Sequence, residues 1–157
     1  GIMGILGAGM IILMLIQIIY GAFVAGLHAG RIFTTFPLMG DEWIAAAVGV
    51  MEPWWKNVLE NPAGVQFVHR YAGTLILFLA LMIWFLARKQ QATREIQHYT
   101  RLLVYTVCLQ VVLGIMALLY SAPLTMALLH QAGAVLVLTS AVVLYHELRY
   151  PKIVMSY

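Results

Sequence analysis

Charge is scarce in this chain: only 10% of its 157 residues are Asp, Glu, Lys or Arg, whereas 63% are hydrophobic. A water-soluble domain needs far more charged surface, so the shortage excludes a soluble fold and leaves an integral membrane protein. Cysteine is almost missing as well. Cys108 stands alone inside an apolar run, which rules out an intrachain disulfide and leaves the redox compartment unread. HExxH, paired CxxC and Gly-rich phosphate-loop patterns are all lacking, so hydrolytic zinc chemistry and nucleotide binding have no support. The net charge of +3 flanks apolar segments rather than forming a basic face, which argues against nucleic acid as a partner. The first apolar run lacks the basic start and cleavage pattern of a signal peptide and reads as a true span.

What the chain does have is apolar length. A crossing of the hydrocarbon layer takes about 20 residues. Four runs meet that need, at about 2–27, 65–87, 102–120 and 126–146, and little is left over for a soluble domain. The expected fold is all-α, with residues 1–157 forming a single integral membrane four-helix bundle. Gly1 stands where an initiator methionine would, which points to a longer or processed product. Glycines recur in the first run at Gly4, Gly7, Gly21, Gly26 and Gly30. Gly26 with Gly30 makes a small-xxx-small pair, open either to close helix approach or to simple tolerance of glycine.

The only long connection, residues 31–64, carries Asp41, Glu42, Glu52 and Glu60 together with Trp43, Trp54 and Trp55. Tryptophan prefers the headgroup level, so this segment is expected to lie against the membrane surface, with a short helix near Glu42 to Val50. An interfacial lid and a direct substrate contact are both open readings for it. RKQQATREIQHYTR, residues 88–101, reads as a short polar loop, and SAPLT as a tight turn. Basic residues divide six to three: Arg88, Lys89, Arg94, Arg101, Arg149 and Lys152 against Arg31, Lys56 and Arg70. The positive-inside rule then puts both termini on the cytoplasmic (or matrix) side and the 31–64 loop outside.

That topology brings two histidines to one depth. His69 lies about a turn or so into the second span and His130 about as far into the fourth, and both spans run the same way. Two imidazoles at equal depth on parallel helices can grip a planar metal cofactor, giving a bis-histidine, low-spin haem centre suited to electron transfer. Arg70 could then reach a haem propionate through a bidentate guanidinium–carboxylate contact. Membrane histidines are also common as hydrogen-bonded packing residues, and spacing alone leaves both readings open. His28, near the end of the first span, is a rival at similar depth, whereas His98 and His146 read as interfacial residues.

The segments GAFVAGLHAGRIFTTFPLMGDEWI, ENPAGVQFVHRYAG and LQVVLGIMALLYSAPLTMALLHQAGAVLVLT, in this order, resemble the haem A synthase family in its proteobacterial and mitochondrial branch. The resemblance runs from Gly21 to Thr139 and is to the second, C-terminal of the family's two four-helix halves. It implies haem b held between His69 and His130, with the bilayer of a bacterial or mitochondrial inner membrane as surroundings. It also implies haem O as substrate, oxidised at a methyl group to the formyl of haem A, and an N-terminal half or second subunit as partner.

The family's substrate half carries a glutamate three residues before its first ligand histidine. Here the matching residue is Gln66, which cannot titrate, so the resemblance assigns this chain to the cofactor half. His28 and the lack of an outer cysteine pair are further departures. Gln131 beside His130, Glu60, and Arg31 at the start of the long loop are additional candidates for shaping the haem pocket. The competing expectation is a non-enzymatic membrane b-type cytochrome passing electrons to a quinone or partner complex. A haem-free scaffold subunit is the third.

Overall fold

A computed structural model describes residues 1–150 of the chain. Helix α1 spans Ile2–Gly26; after a long connection a short helix α2 covers Lys56–Leu59; α3 spans Pro62–Lys89, α4 Arg94–Leu119 and α5 Leu124–Arg149. The described residues contain no strand, only an isolated bridge between Met39 and Glu42. Helices α1, α3, α4 and α5 are each long and apolar enough to cross a membrane, and the protein is a multi-pass integral membrane protein.

Local chemistry sets the helix ends. At the start of α3, the Asn61 side chain accepts from the Ala63 amide at 3.0 Å and Pro62 takes the first helical position, where its missing N–H costs nothing. Thr93 caps α4 by accepting from the Ile96 amide at 3.3 Å. Because of this cap, α4 begins at Arg94, and most of the polar stretch expected to be a loop over 88–101 is helical. The connection shrinks to residues 90–93. At about 1.5 Å per residue, helices of 25 to 28 residues reach roughly 37–42 Å, well past a hydrocarbon layer of about 30 Å, so their polar ends stand in the headgroup region. Basic residues Arg88 and Lys89 close α3, where they complement the helix dipole.

The four long helices form a ring in which α1 packs on α3, α3 on α4, α4 on α5 and α5 on α1, every neighbour antiparallel. Helices α3 and α5 are thus parallel and diagonal, both starting beside the long loop. In the half of the bundle away from the loop, Met3, Met10, Met14, Ile83, Leu103 and Leu144 are among the residues of one buried apolar cluster. Large apolar side chains such as Ile5, Phe78, Phe85 and Val135 are exposed around the outside, as a lipid-facing surface requires. The expected small-residue approach at Gly26 and Gly30 is not where α1 meets other long helices. A side chain at Gly26 would meet nothing, and one at Gly30 would touch Ala122 and Val24; the close approaches on α1 are at Gly7, against Tyr145 and Leu148, and at Gly21.

The loop folds back onto α3. Its short helix over Glu42 to Val50 is found as a 3-10 turn at Ala46–Gly49, joined by α2 further on. Asn57 donates to the carbonyls of Met51 and Trp54 at 2.7 and 3.0 Å and accepts from the Met51 amide, while Asn61 donates to the Ala47 carbonyl at 2.7 Å. Gly64 is required beneath this knot, because a Cβ there would collide with the Asn57 carbonyl. Of the basic residues counted by side, Lys152 lies outside the described residues.

Candidate functional site

His69 and His130 meet inside the ring at its loop end. Each lies about two turns into its helix, and the diagonal placement of α3 and α5 points both toward the bundle axis. Their ring centroids are 6.3 Å apart with the planes at 80°. Both Nδ1 atoms are buried without a hydrogen-bond partner.

Small residues on the neighbouring helices make room for the rings. A Cβ at Gly21 of α1 would stand 3.4 Å from Cε1 of His69, and one at Gly114 of α4 would stand 2.8 Å from Cε1 of His130. Each histidine is also tied to that same neighbour through its backbone. Gln17 Nε2 donates to the His69 carbonyl at 2.8 Å, and Gln110 Nε2 donates to the His130 carbonyl at 2.8 Å. In a membrane interior such buried amides are costly unless bonded, so these contacts fix the helix pairs in register.

Around this centre the other expected residues separate. Gln66, one turn before His69 and only 3% exposed, donates from Nε2 to the Phe33 carbonyl at 2.9 Å, leaving Oε1 buried without a partner. Arg70 sends its guanidinium to the loop: to the carbonyls of Leu38 at 2.8 Å, Pro37 at 3.2 Å and Phe33 at 3.4 Å. A propionate contact would have to use the N–H groups that these bonds leave. Gln131 and Arg31 are exposed, and His28 lies beyond the end of α1 in a left-handed conformation with φ 52°. His28 is exposed and does not join the ring pair. Glu60 caps the end of α2 in the loop. His98 meets Tyr99 edge-on and His146 lies against Tyr150 with the rings tilted, at the opposite end of the bundle.

The separation of the pair has the length that an iron between them would need if both Nε2 atoms faced the gap. A metal–imidazole bond of about 2.0 Å plus about 1.1 Å from nitrogen to ring centre, taken twice, gives about 6.2 Å between centroids. The observed 6.3 Å agrees. Among the described residues no group of three or more His, Cys, Asp or Glu side chains gathers that could hold a metal ion. Two imidazoles alone make a poor all-protein site, but they suffice for a metal whose other positions a macrocycle fills.

The family described as cytochrome oxidase assembly protein matches residues 2–142. The chain belongs to this family. It is 42% identical over 143 residues to a haem A synthase of Paracoccus denitrificans, a match covering 91% of this chain and 37% of that protein. It is 42% identical over 129 residues to the haem A synthase of Nitrosomonas eutropha, covering 82% of this chain and 36% of that one. A Wolbachia haem A synthase is 44% identical over 121 residues, covering 77% and 34%. The chain thus spans little more than a third of the length of the curated relatives it matches, and no solved structure matches it.

Gln17, Gln110 and Gly114 went unnamed in the sequence reasoning, and Gly21 was noted only as one of the glycines of the first run. A signal was present, because QIIYG and QVVLG repeat the same Gln-x-x-x-Gly spacing in the first and third spans.

Proposed function

We propose that this chain is the haem b-binding half of a haem A synthase, the enzyme that oxidises a methyl group of haem O to the formyl of haem A. The observation that carries the reading is the His69–His130 pair, 6.3 Å apart and each seated against a glycine of the next helix. The two imidazoles would hold haem b as axial ligands. When bound, that haem supplies a low-spin one-electron carrier able to accept electrons released in the oxidation.

The chain's own residues prepare this site. Gly21 and Gly114 leave space for the rings, and Gln17 and Gln110 hold the ligand-bearing backbone at fixed depth. Arg70 ties the loop carbonyls of Pro37 and Leu38 to α3 beside His69. Gln66 puts a neutral amide where an acid would be needed for proton or charge chemistry, which fits a cofactor site whose substrate haem O is bound by another part of the enzyme. That part would be an N-terminal four-helix half or a second subunit. By the positive-inside rule both termini face the cytoplasm of a bacterial inner membrane, or the matrix of its mitochondrial equivalent. A Trp54→Cys thiol should react with a membrane-impermeant reagent from the periplasmic side, and labelling only from the cytoplasmic side would reverse the orientation.

Protein purified in detergent and loaded with haem b is expected to show a b-type low-spin spectrum that His69→Ala and His130→Ala each abolish. Unchanged spectra in both variants would sink the ligand assignment. Conversion of haem O by the chain together with its partner half separates the synthase from a membrane cytochrome, which would keep the spectrum and convert nothing.

A further inference from the structure

The two half-sites are built alike. Gln17 and Gly21 stand one turn apart on α1, as Gln110 and Gly114 do on α4, and each glutamine donates 2.8 Å to the carbonyl of the histidine it faces. The fit is reciprocal. The histidine ring lies over the glycine of the glutamine's helix, while the glutamine lies against a glycine of the histidine's helix: Gly73 for Gln17 and Gly133 for Gln110.

The same four side chains contain four buried atoms without hydrogen-bond partners: Gln17 Oε1, Gln110 Oε1, His69 Nδ1 and His130 Nδ1. Buried polar atoms are seldom left unpaired, and these sort by chemistry into two acceptors and two ring nitrogens. When a histidine binds metal through Nε2, its Nδ1 carries the proton and needs an acceptor. The geometry favours the glutamine's side for it. A Cβ at Gly114 would meet Cε1 and Nδ1 of His130 at 2.8 and 3.3 Å, and one at Gly21 would meet the same two atoms of His69 at 3.4 and 4.0 Å. The Cε1 corner of each ring, with Nδ1 beside it, therefore faces α4 in one half-site and α1 in the other; at His130, Nε2 stands 3.5 Å from the same point.

We propose that Gln17 and Gln110 are matched positioning residues for the axial imidazoles. Each clamps its histidine's backbone through Nε2 and supplies, with Oε1, the acceptor for that histidine's Nδ1–H through one ordered water. This rests on the bis-histidine reading of the site. An acceptor on Nδ1–H makes the imidazole a stronger electron donor, which favours the ferric state and lowers the midpoint potential.

The test compares wild type with Gln17→Leu, Gln110→Leu and the double variant, each purified with haem b, by redox titration and low-temperature EPR. The midpoint is expected to rise in both single variants, by similar amounts, and by about their sum in the double variant, with altered low-spin g-values. Unchanged midpoint and g-values at full haem occupancy would overturn the assignment. If the leucine variants lose haem, Gln17→Glu and Gln110→Glu decide, because they keep Oε1 and strengthen it as an acceptor. Haem retained with a midpoint below wild type supports the proposal; haem retained with an unchanged or raised midpoint refutes it. A role confined to packing would lower thermal stability in every variant without moving the midpoint. Wild-type protein that takes up no haem would instead overturn the underlying reading, so the two failures are distinguishable.

Discussion

In the half of the bundle away from the loop, the helices meet through Met10, Ile83, Leu103, Val107 and Leu144, all almost fully buried. In the half beside the loop they meet through Gly21, Gly114, Gln17, Gln110 and two histidines. Lipid tails are as apolar as leucine, so the first kind of contact gains little from leaving water and depends on close packing. The second is expensive in a membrane, since every amide and ring nitrogen needs a partner. A bundle that needed only to fold could have continued the apolar core to the loop. That it changes to small and polar residues at the level of His69 and His130 separates a packed anchor from a cradle of small and polar residues around the two rings.

The largest effect should come from filling the cradle. Gly114→Ala adds a methyl 2.8 Å from Cε1 of His130, closer than ordinary contact, so the ring must turn or withdraw. Gly21→Ala adds one 3.4 Å from His69, which is ordinary contact. Haem content per protein is expected to fall severely in Gly114→Ala and to stay near wild type in Gly21→Ala. The opposite ranking would break the view that glycines set the ring positions. Next comes the anchor, through Leu103→Ala. This change should leave the haem spectrum unmoved while lowering stability by on the order of 1–2 kcal/mol, less than a soluble core would lose because lipid still covers the unfolded helix. Thermal unfolding followed at the haem band and by circular dichroism checks both halves of that statement, and a spectral shift would show that the two ends are not separable.

The contrast also explains what could be read in advance. Four spans and the His69–His130 pair were legible, because apolar length and a polar ring in an apolar run are signals within one segment. Gln66 and Arg70 were singled out as haem-site candidates, but their bonds to Phe33, Pro37 and Leu38 depend on how a long loop folds back, which no periodicity encodes. Gln17 and Gln110 were passed over because one amide in a hydrophobic helix has little weight until the helix facing it is known. Gln131 and Arg31 drew attention by adjacency or position, yet both are exposed. A residue next to a ligand in a helix is turned about 100° away from it, so nearness in sequence is poor evidence of a shared site.

The smallest effect lies at the end of the molecule farthest from the cradle, where charge rather than packing misled the sequence reading. Residues 94–101 carry Arg94, Glu95, His98 and Arg101, yet they are helical because Thr93 caps the turn and α4 continues beyond the hydrocarbon layer. The cap is solvent-exposed and replaces one of the unpaired amides of the first turn, so Thr93→Ala should cost about 0.5–1 kcal/mol. Amide hydrogen exchange should quicken over residues 94–97 while protection at Leu103 and Val107 persists, since those side chains are locked in the apolar cluster. If protection were lost as far as Val107, the anchor would owe its order to the cap and not to its packing, and the division between the two ends would have to be redrawn.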